Sequence, residues 1–292
     1  VPVRLAVVGP GRVGTALGRR WAEAGVDLLG FVGRTAASAA AAVAFCGRGR
    51  VLALADLARA HAVVLAVPDP LLPEVVRAAA AAAPGRACSL WLHTSGRHDL
   101  SVLEPLRAAS VRLGALHPVA PFPDVATGLQ QMAGRPAVLL GEPRALRLLA
   151  RLARMLGMQP LESRGGDRAL YHAACALAAN GLTALCAAVE RAFAAAAALA
   201  PDDARAVAQA LMAAALQATR DRGAAAALSG PVARGDAATV AVHRRALRGV
   251  ANELDDAYRA LMVQALALAE QRGLSAAAAA AVRQALAGGA GR

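Results

Sequence analysis

The chain has 292 residues, 57% of them hydrophobic and 18% charged, which is enough apolar material for one large or two medium domains and too much for a disordered chain. Its net charge of +12 rests on arginine alone, because the sequence contains no lysine, and only 3% of its residues are aromatic. Dispersed arginines in an alanine-rich chain read as a compositional bias and not as a nucleic-acid footprint, which needs clustered cations and stacking platforms.

Taken in chain order, Leu5-Ala6-Val7-Val8 is a continuous apolar run that predicts a strand, and residues 14–24 read as a helix. A second strand is expected at 28–32, a weaker third at 51–54, and the clearest buried strand at 62–67. A helix over 73–83 follows, then strands at 88–92, 111–116 and 137–140. Strands apolar on both faces and alternating with helices predict an α/β domain with a doubly wound, mostly parallel sheet. After Ser163 the character changes. Arg164-Gly165-Gly166-Asp167 looks like a break, and helical segments over 167–199, 202–222, 236–249, 253–272 and after Ser275 follow with almost no strand signal. The expected architecture is a sheet domain over 1–163 and an all-helical domain over 164–292, with a frayed tail at 288–291.

The nearly uncharged run 173–189 approaches membrane-span length but is mostly alanine and contains Asn180, Gly181 and Thr183, so a helix buried in protein or at a subunit interface is expected, and no membrane. No signal-peptide pattern opens the chain. Cys46, Cys88, Cys175 and Cys186 are scattered without a Cys-x-x-Cys pair, so no metal site is expected, and reduced thiols in a cytoplasmic protein are.

The first strand runs directly into Gly9-Pro10-Gly11-Arg12-Val13-Gly14 and then a helix, the context a dinucleotide fingerprint requires. Gly9 permits the tight turn, Gly11 lets a pyrophosphate reach the backbone, and Gly14, with Gly18 one turn on, lets helix and strand approach. The helix N-terminus offers unpaired N–H groups to the phosphates. The end of the second strand decides the cofactor. An NAD site places a carboxylate there, about twenty residues on, whereas this chain has Gly33-Arg34-Thr35. Arg34, with Thr35 or Ser38, suits the 2′-phosphate of NADP(H). Ligands of such sheets lie beyond the strand carboxyl ends, where Val67-Pro68-Asp69, His93-Thr94-Ser95-Gly96 and His117-Pro118 are found. Val67, Pro68, Asp69, Thr94 and Ser95 are therefore added to the cofactor-binding set.

The order GPGRVG, VVLAVPD, HTSG, LHP, YHAACALAAN and LSGPVARGD resembles bacterial proteins that pair a Rossmann-like domain with a DUF2520 domain, within the wider 6-phosphogluconate dehydrogenase-like group that includes pyrroline-5-carboxylate reductase, prephenate dehydrogenase and ketopantoate reductase. The resemblance covers residues 5–249. It implies NADP-dependent reduction of a small-molecule substrate between two domains, with a homodimer formed by the helical domains. Related β-hydroxyacid dehydrogenases carry Lys-x-x-x-Asn on the first helix of the second domain. Asn180 matches the asparagine, but Ala176 stands in the lysine's place, and no lysine exists to replace it.

A carbonyl that accepts hydride also needs a proton, and histidine is suited to give one near neutral pH. His117 and His172 are the two candidates, His117 being preferred for its strand-end position. Ser95 with the Gly96 N–H is a candidate holder of a substrate carboxylate or oxyanion, and Arg234 is a candidate carboxylate clamp. Asp236 is expected to cap the next helix, and Tyr171 either anchors the core or reaches the cleft. The leading expectation is a reductase of a small carbonyl or imine acid, ketopantoate being one instance. The alternatives are a non-catalytic NADP(H)-binding sensor or partner-binding protein, and a prephenate-type dehydrogenase.

Overall fold

Strand β1 (Arg4–Val8) alternates its side chains between two cores, Leu5 and Val7 in one and Ala6 and Val8 in the other. The same period-2 division recurs in β4 (Ala62–Leu65) and β5 (Leu90–His93), as it must where a sheet is covered on both faces. The computed structural model describes residues 3–82, 89–108, 110–197 and 199–288; Ala83, Cys88 and the tail beyond residue 288 lie outside the described residues.

The remaining strands are β2 (Asp27–Val32), β3 (Arg50–Val51), β6 (Arg112–Pro118), β7 (Pro136–Gly141) and β8 (Gln159–Glu162). They form one sheet in the order β3-β2-β1-β4-β5-β6-β7-β8. All neighbours are parallel except β6 and β7. The first six strands follow the 3-2-1-4-5-6 order of the Rossmann-type doubly wound fold, whose crevice opens where the order reverses, between β1 and β4. Helices α1 (Arg12–Glu23), α2 (Ala36–Cys46), α3 (Leu72–Ala82), α4 (Val125–Met132) and α5 (Pro143–Met155) accompany the sheet. The buried Trp21 of α1 donates its indole N–H to the Leu152 carbonyl of α5 at 2.9 Å, tying the first and last of these helices together.

Several elements differ from expectation. The third strand has only two residues, and the apolar run at 51–54 passes into a 3₁₀ turn, Leu54–Arg59. Three helices, α2, α4 and α5, and the polar edge strand β8 are additional. The α2 sequence is alanine-rich with no apolar stripe to betray it, and β8 (Gln-Pro-Leu-Glu) is an exposed edge that carries no buried pattern.

Contacts divide the chain into Val1–Ala176 and Leu177–Arg292, later than the expected 163/164 boundary. The difference is α6 (Arg168–Ala176), whose Arg168 is buried and whose Tyr171 hydroxyl lies 2.8 Å from His117 Nδ1 of β6. The second unit begins with a π-helical turn, Leu177–Gly181, followed by α7 (Leu182–Ala197), α8 (Pro201–Arg222), the single turns α9 (Ala224–Ala227) and α10 (Pro231–Arg234), then α11 (Ala237–Val250), α12 (Asn252–Gln271) and α13 (Ala276–Ala287). Its core gathers Val232, Val240, Leu266, Val282 and Leu286. Asp236 caps α11, accepting from Thr239 N at 2.9 Å.

Among the described residues one helix, Arg168–Ala196, is long and apolar enough to cross a membrane by length and composition. None of its apolar stretch is buried within the single chain, so of the two expected settings, buried in protein or at a subunit interface, the first is not met. Its side chains are mostly alanine, and its α7 part packs against α8 while many of its positions stay half-exposed or exposed.

Candidate functional site

The glycine turn is built by contacts that exclude any side chain. Gly9 has φ +97°, and a Cβ there would come 2.5 Å from the Ala66 carbonyl oxygen; a Cβ on Gly14 would come 2.1 Å from the Gly9 carbonyl oxygen. Gly18 lets α1 lie on β2, where a Cβ would meet the Phe31 ring at 2.6 Å. Gly11 differs: its φ is unstrained and a Cβ would meet nothing within 4 Å, so it faces open space. It is the N-cap of α1 with no side-chain cap, and the first turn carries no acidic residue, which leaves the helix N-terminus available to an anion.

A cavity of about 560 Å³ opens beside this turn at the switch point. Gly9, Pro10, Gly11, Arg34, Thr35, Val67 and Pro68, all expected from sequence, line it together with Ser38. Arg12, Val13, Gly14, Asp69, Thr94 and Ser95 do not line it. The Arg12 guanidinium donates to the Pro123 carbonyl at 3.1 Å, and Asp69 presents its own carbonyl to His98 at 3.1 Å. Leu54, Leu71, Glu74, Val75 and Ala78 also line the cavity. Sequence reasoning missed them because Leu54 comes from the 3₁₀ turn, Leu71 from the short turn just before α3 and the others from α3, segments whose mostly apolar residues read as core.

Arg34 is exposed and makes no ion pair among the described residues. Thr35 caps α2, its hydroxyl accepting from Ser38 N at 3.2 Å, while the Ser38 hydroxyl donates to the Thr35 carbonyl at 2.8 Å. These two hydroxyls first serve the helix cap, and Arg34 is the uncommitted group at the rim.

Beyond β5 and β6 lies a second polar cluster. His93 is fully buried and Nε2 donates to the Asp99 carbonyl at 3.2 Å, which leaves Nδ1 as the unprotonated nitrogen, without a partner among the described residues. Burial pushes its pKa down to about 4. Ser95 is buried and its hydroxyl oxygen accepts from Arg97 N and His98 N at 3.1 and 3.0 Å. As an acceptor it is used, and only its hydroxyl proton remains to give. A methyl placed on Gly96 would sit 3.0 Å from His117 Nε2, so the imidazole edge faces the glycine.

His117 packs edge-on against Tyr171, ring centroids 5.5 Å apart and planes at 82°. Burial pushes its pKa down to about 4, helped by the positive charges of Arg168 and His172. The expected cationic proton donor is therefore neutral at physiological pH. The Tyr171 phenol is pushed up to about 12, by burial first and then by Cys175, and stays protonated. The Arg168 guanidinium lies over the Tyr171 ring, 4.2 Å from its centroid. Neither Tyr171's partnership nor Arg168 was legible from sequence; the available sign was an arginine three residues before a rare tyrosine on one helix face. His172 is exposed on the same helix. Asn180 lies exposed in the π-helical turn, and Arg234 is exposed at the end of α10, both in the helical unit.

The family described as Domain of unknown function (DUF2520) matches residues 136–282, and the Rossmann-like domain matches residues 2–118. No curated protein matches the chain. Among solved structures, a candidate NADP oxidoreductase from Bacteroides fragilis is similar at 18% identity over 91% of this chain and 98% of its own, with TM-score 0.71. A reductive aminase from Aspergillus terreus is similar at 18% identity over 97% and 99%, with TM-score 0.64. A pyrroline-5-carboxylate reductase from Coxiella burnetii is similar at 14% identity over 94% and 100%, with TM-score 0.59. At these identities the likeness is one of fold.

Proposed function

The chain belongs to the DUF2520 family, joined here to a Rossmann-like domain, and from that premise we propose that it is an NADP(H)-dependent oxidoreductase that reduces a small carbonyl or imine acid. The observation that carries this reading is the cavity at the β1/β4 switch point, which the Gly9-Pro10-Gly11 turn floors and the uncommitted Arg34 edges. The turn fits a dinucleotide, since Gly9 and Gly14 leave no room for a Cβ while Gly11 opens to space. No carboxylate follows β2 to repel a 2′-phosphate, which favours NADP(H) over NAD(H). The reductase names borne by the structural neighbours support the same reaction class.

When bound, a reduced nicotinamide supplies hydride to the substrate's carbonyl or imine carbon. The protein's task is then to hold the substrate and provide a proton. We assign the 2.8 Å contact between them as Tyr171 O–H donating to His117 Nδ1, the phenol staying protonated, so that the imidazole keeps its proton on Nε2. That neutral Nε2–H beside Gly96 is the donor we assign to the developing oxygen or nitrogen anion. The Ser95 hydroxyl proton is a second donor. Asn180, in the role implied by the resemblance, His172 as the alternative proton donor and Arg234 as the alternative carboxylate clamp are targets for mutagenesis.

For the helical unit we propose a homodimer contact through its exposed Leu177, Leu182, Leu211 and Leu216, whose combined exposure is unusual for a protein that acts as a lone chain.

The test is NADPH oxidation across a panel of 2-oxo acids, ketopantoate among them, and cyclic imines, with His117→Ala and Asn180→Ala as controls. Tight NADPH binding without turnover of any of them would refute the reductase reading and leave a sensor.

A further inference from the structure

Among the described residues two arginines are buried, and the chain treats them differently. Arg244 is 2% exposed and fully compensated: it holds Asp255 through two bonds of 2.8 and 2.9 Å and donates to the carbonyls of Ala285, Leu286 and Gly288. Arg168 is 8% exposed, and among the described residues no carboxylate lies within ion-pair distance of it. Its Nε is buried without an acceptor among the described residues. The contact it does make is with the face of Tyr171, 4.2 Å away. A buried charge is ordinarily paired and hydrogen-bonded, because leaving it otherwise is costly.

Its position adds to that cost. Arg168 is the first residue of α6, at the positive end of the helix dipole, where a cation is disfavoured and an anion favoured. Asp167, just before it, spends its carboxylate on Leu170 N at 3.0 Å. The guanidinium also lies close enough to His93 and His117 to disfavour their protonation. All of these groups belong to the first unit and gather at the carboxyl ends of β5 and β6. Arg168 does not line the dinucleotide cavity, where a cofactor phosphate already has the N-terminus of α1.

We propose that Arg168 is the anion-binding group of this site, and that it takes the carboxylate of a small 2-oxo or imino acid whose reactive carbonyl or imine then faces His117. The assignment rests on the reductase reading and sharpens it, since it makes the substrate a carboxylate and gives its anchor to the first unit and not to Arg234. A guanidinium backed by an aromatic ring presents a fixed donor fork, which suits bidentate capture of a carboxylate. Docking an anion there offsets the Arg168 charge, so the basicity of His117 rises when the site fills. Of the other groups around His117, His172 lowers its basicity and Asp69 raises it, while Tyr171 meets its Nδ1 and Cys175 acts on Tyr171.

The experiment uses the full chain with pyruvate as probe and its neutral amide as control. Binding is measured calorimetrically, and the His117 ring is followed by ¹⁵N NMR as pH is lowered. Pyruvate is expected to bind and to raise the His117 pKa above its ligand-free value, and the amide to do neither. Arg168→Met is expected to weaken pyruvate about 10- to 100-fold, the range of a charge-assisted hydrogen bond, to leave the NADPH Kd unchanged and to leave the Tm no lower. Arg168→Lys retains the charge without the fork and falls between the two. The proposal is overturned if no small 2-oxo acid binds at millimolar concentration, if pyruvate and its amide bind alike, or if Arg168→Met binds pyruvate as the wild type does. It is also overturned if Arg168→Met loses NADPH in parallel, which would assign the guanidinium to the cofactor. Failure of the reductase reading appears separately, as absence of NADPH binding or turnover in a chain that still distinguishes pyruvate from its amide.

Discussion

Replacing Arg34 with alanine is expected to weaken NADPH and spare NADH. The side chain leaves the end of β2, lines the cavity with Thr35 and Ser38, and is committed to no ion pair among the described residues. A charge-assisted hydrogen bond to a phosphate is worth about 1.5–3 kcal/mol, or about 10- to 100-fold in Kd. Arg34 is exposed, so screening by salt places the loss near the lower end, about tenfold at physiological ionic strength. Thr35 and Ser38 contribute less, because their hydroxyls are already exchanged within the α2 cap. Arg34→Asp adds repulsion and is expected to reverse the preference in favour of NADH. Fluorescence titration of both cofactors at low and high salt measures this, and salt should erode the wild-type preference but not the residual affinity of Arg34→Ala. Equal losses for NADPH and NADH in Arg34→Ala would refute the reasoning, since only the 2′-phosphate distinguishes the two ligands.

Gly18→Ala places a methyl 2.6 Å from the Phe31 ring and is expected to destabilise the first unit by about 1–3 kcal/mol, read by urea unfolding, because the ring must shift. Gly14→Ala strikes backbone, the Gly9 carbonyl oxygen, and should also abolish dinucleotide binding. Asp255→Asn leaves Arg244 buried without its partner and is expected to cost about 3–5 kcal/mol in the helical unit, with the C-terminal end of α13 loosening first by hydrogen exchange. The Asp255 carboxyl is held below its usual range chiefly by Arg244, so its contribution is present at neutral pH and is lost as the pH falls through that depressed value. His93 and His117, both held near pKa 4 against an unfolded value of 6.5, destabilise the fold in acid in the same direction. Their unfolded forms bind protons first, so Tm should fall between about pH 6.5 and 4, and His117→Gln should flatten part of that slope. For the same reason kcat/KM with a 2-oxo acid, which reports the free enzyme, should show no histidine step near pH 6.5, and a step there would restore the cationic donor.

The parts of this protein that were legible in its sequence are those governed by neighbours along the chain. Period-2 burial of Leu5, Ala6, Val7 and Val8, the glycine turn that follows and the change to helices after residue 167 depend on local sterics and on which residues can hide from water. The absence of a carboxylate after β2 was equally plain, as was the capping role of Asp236, confirmed by its bond to Thr239 N. Elements without such local contrast were not legible: α2 is alanine throughout much of its length, and β8 is a polar edge. The second cluster was decided by tertiary structure alone. His117 and Tyr171 are 54 residues apart in the chain yet bonded at 2.8 Å, and it is burial at that end of the sheet, with Arg168 beside it, that keeps the histidine neutral. A pKa and an unpaired charge are properties of surroundings, and the surroundings exist only once the sheet has brought distant segments to the same end.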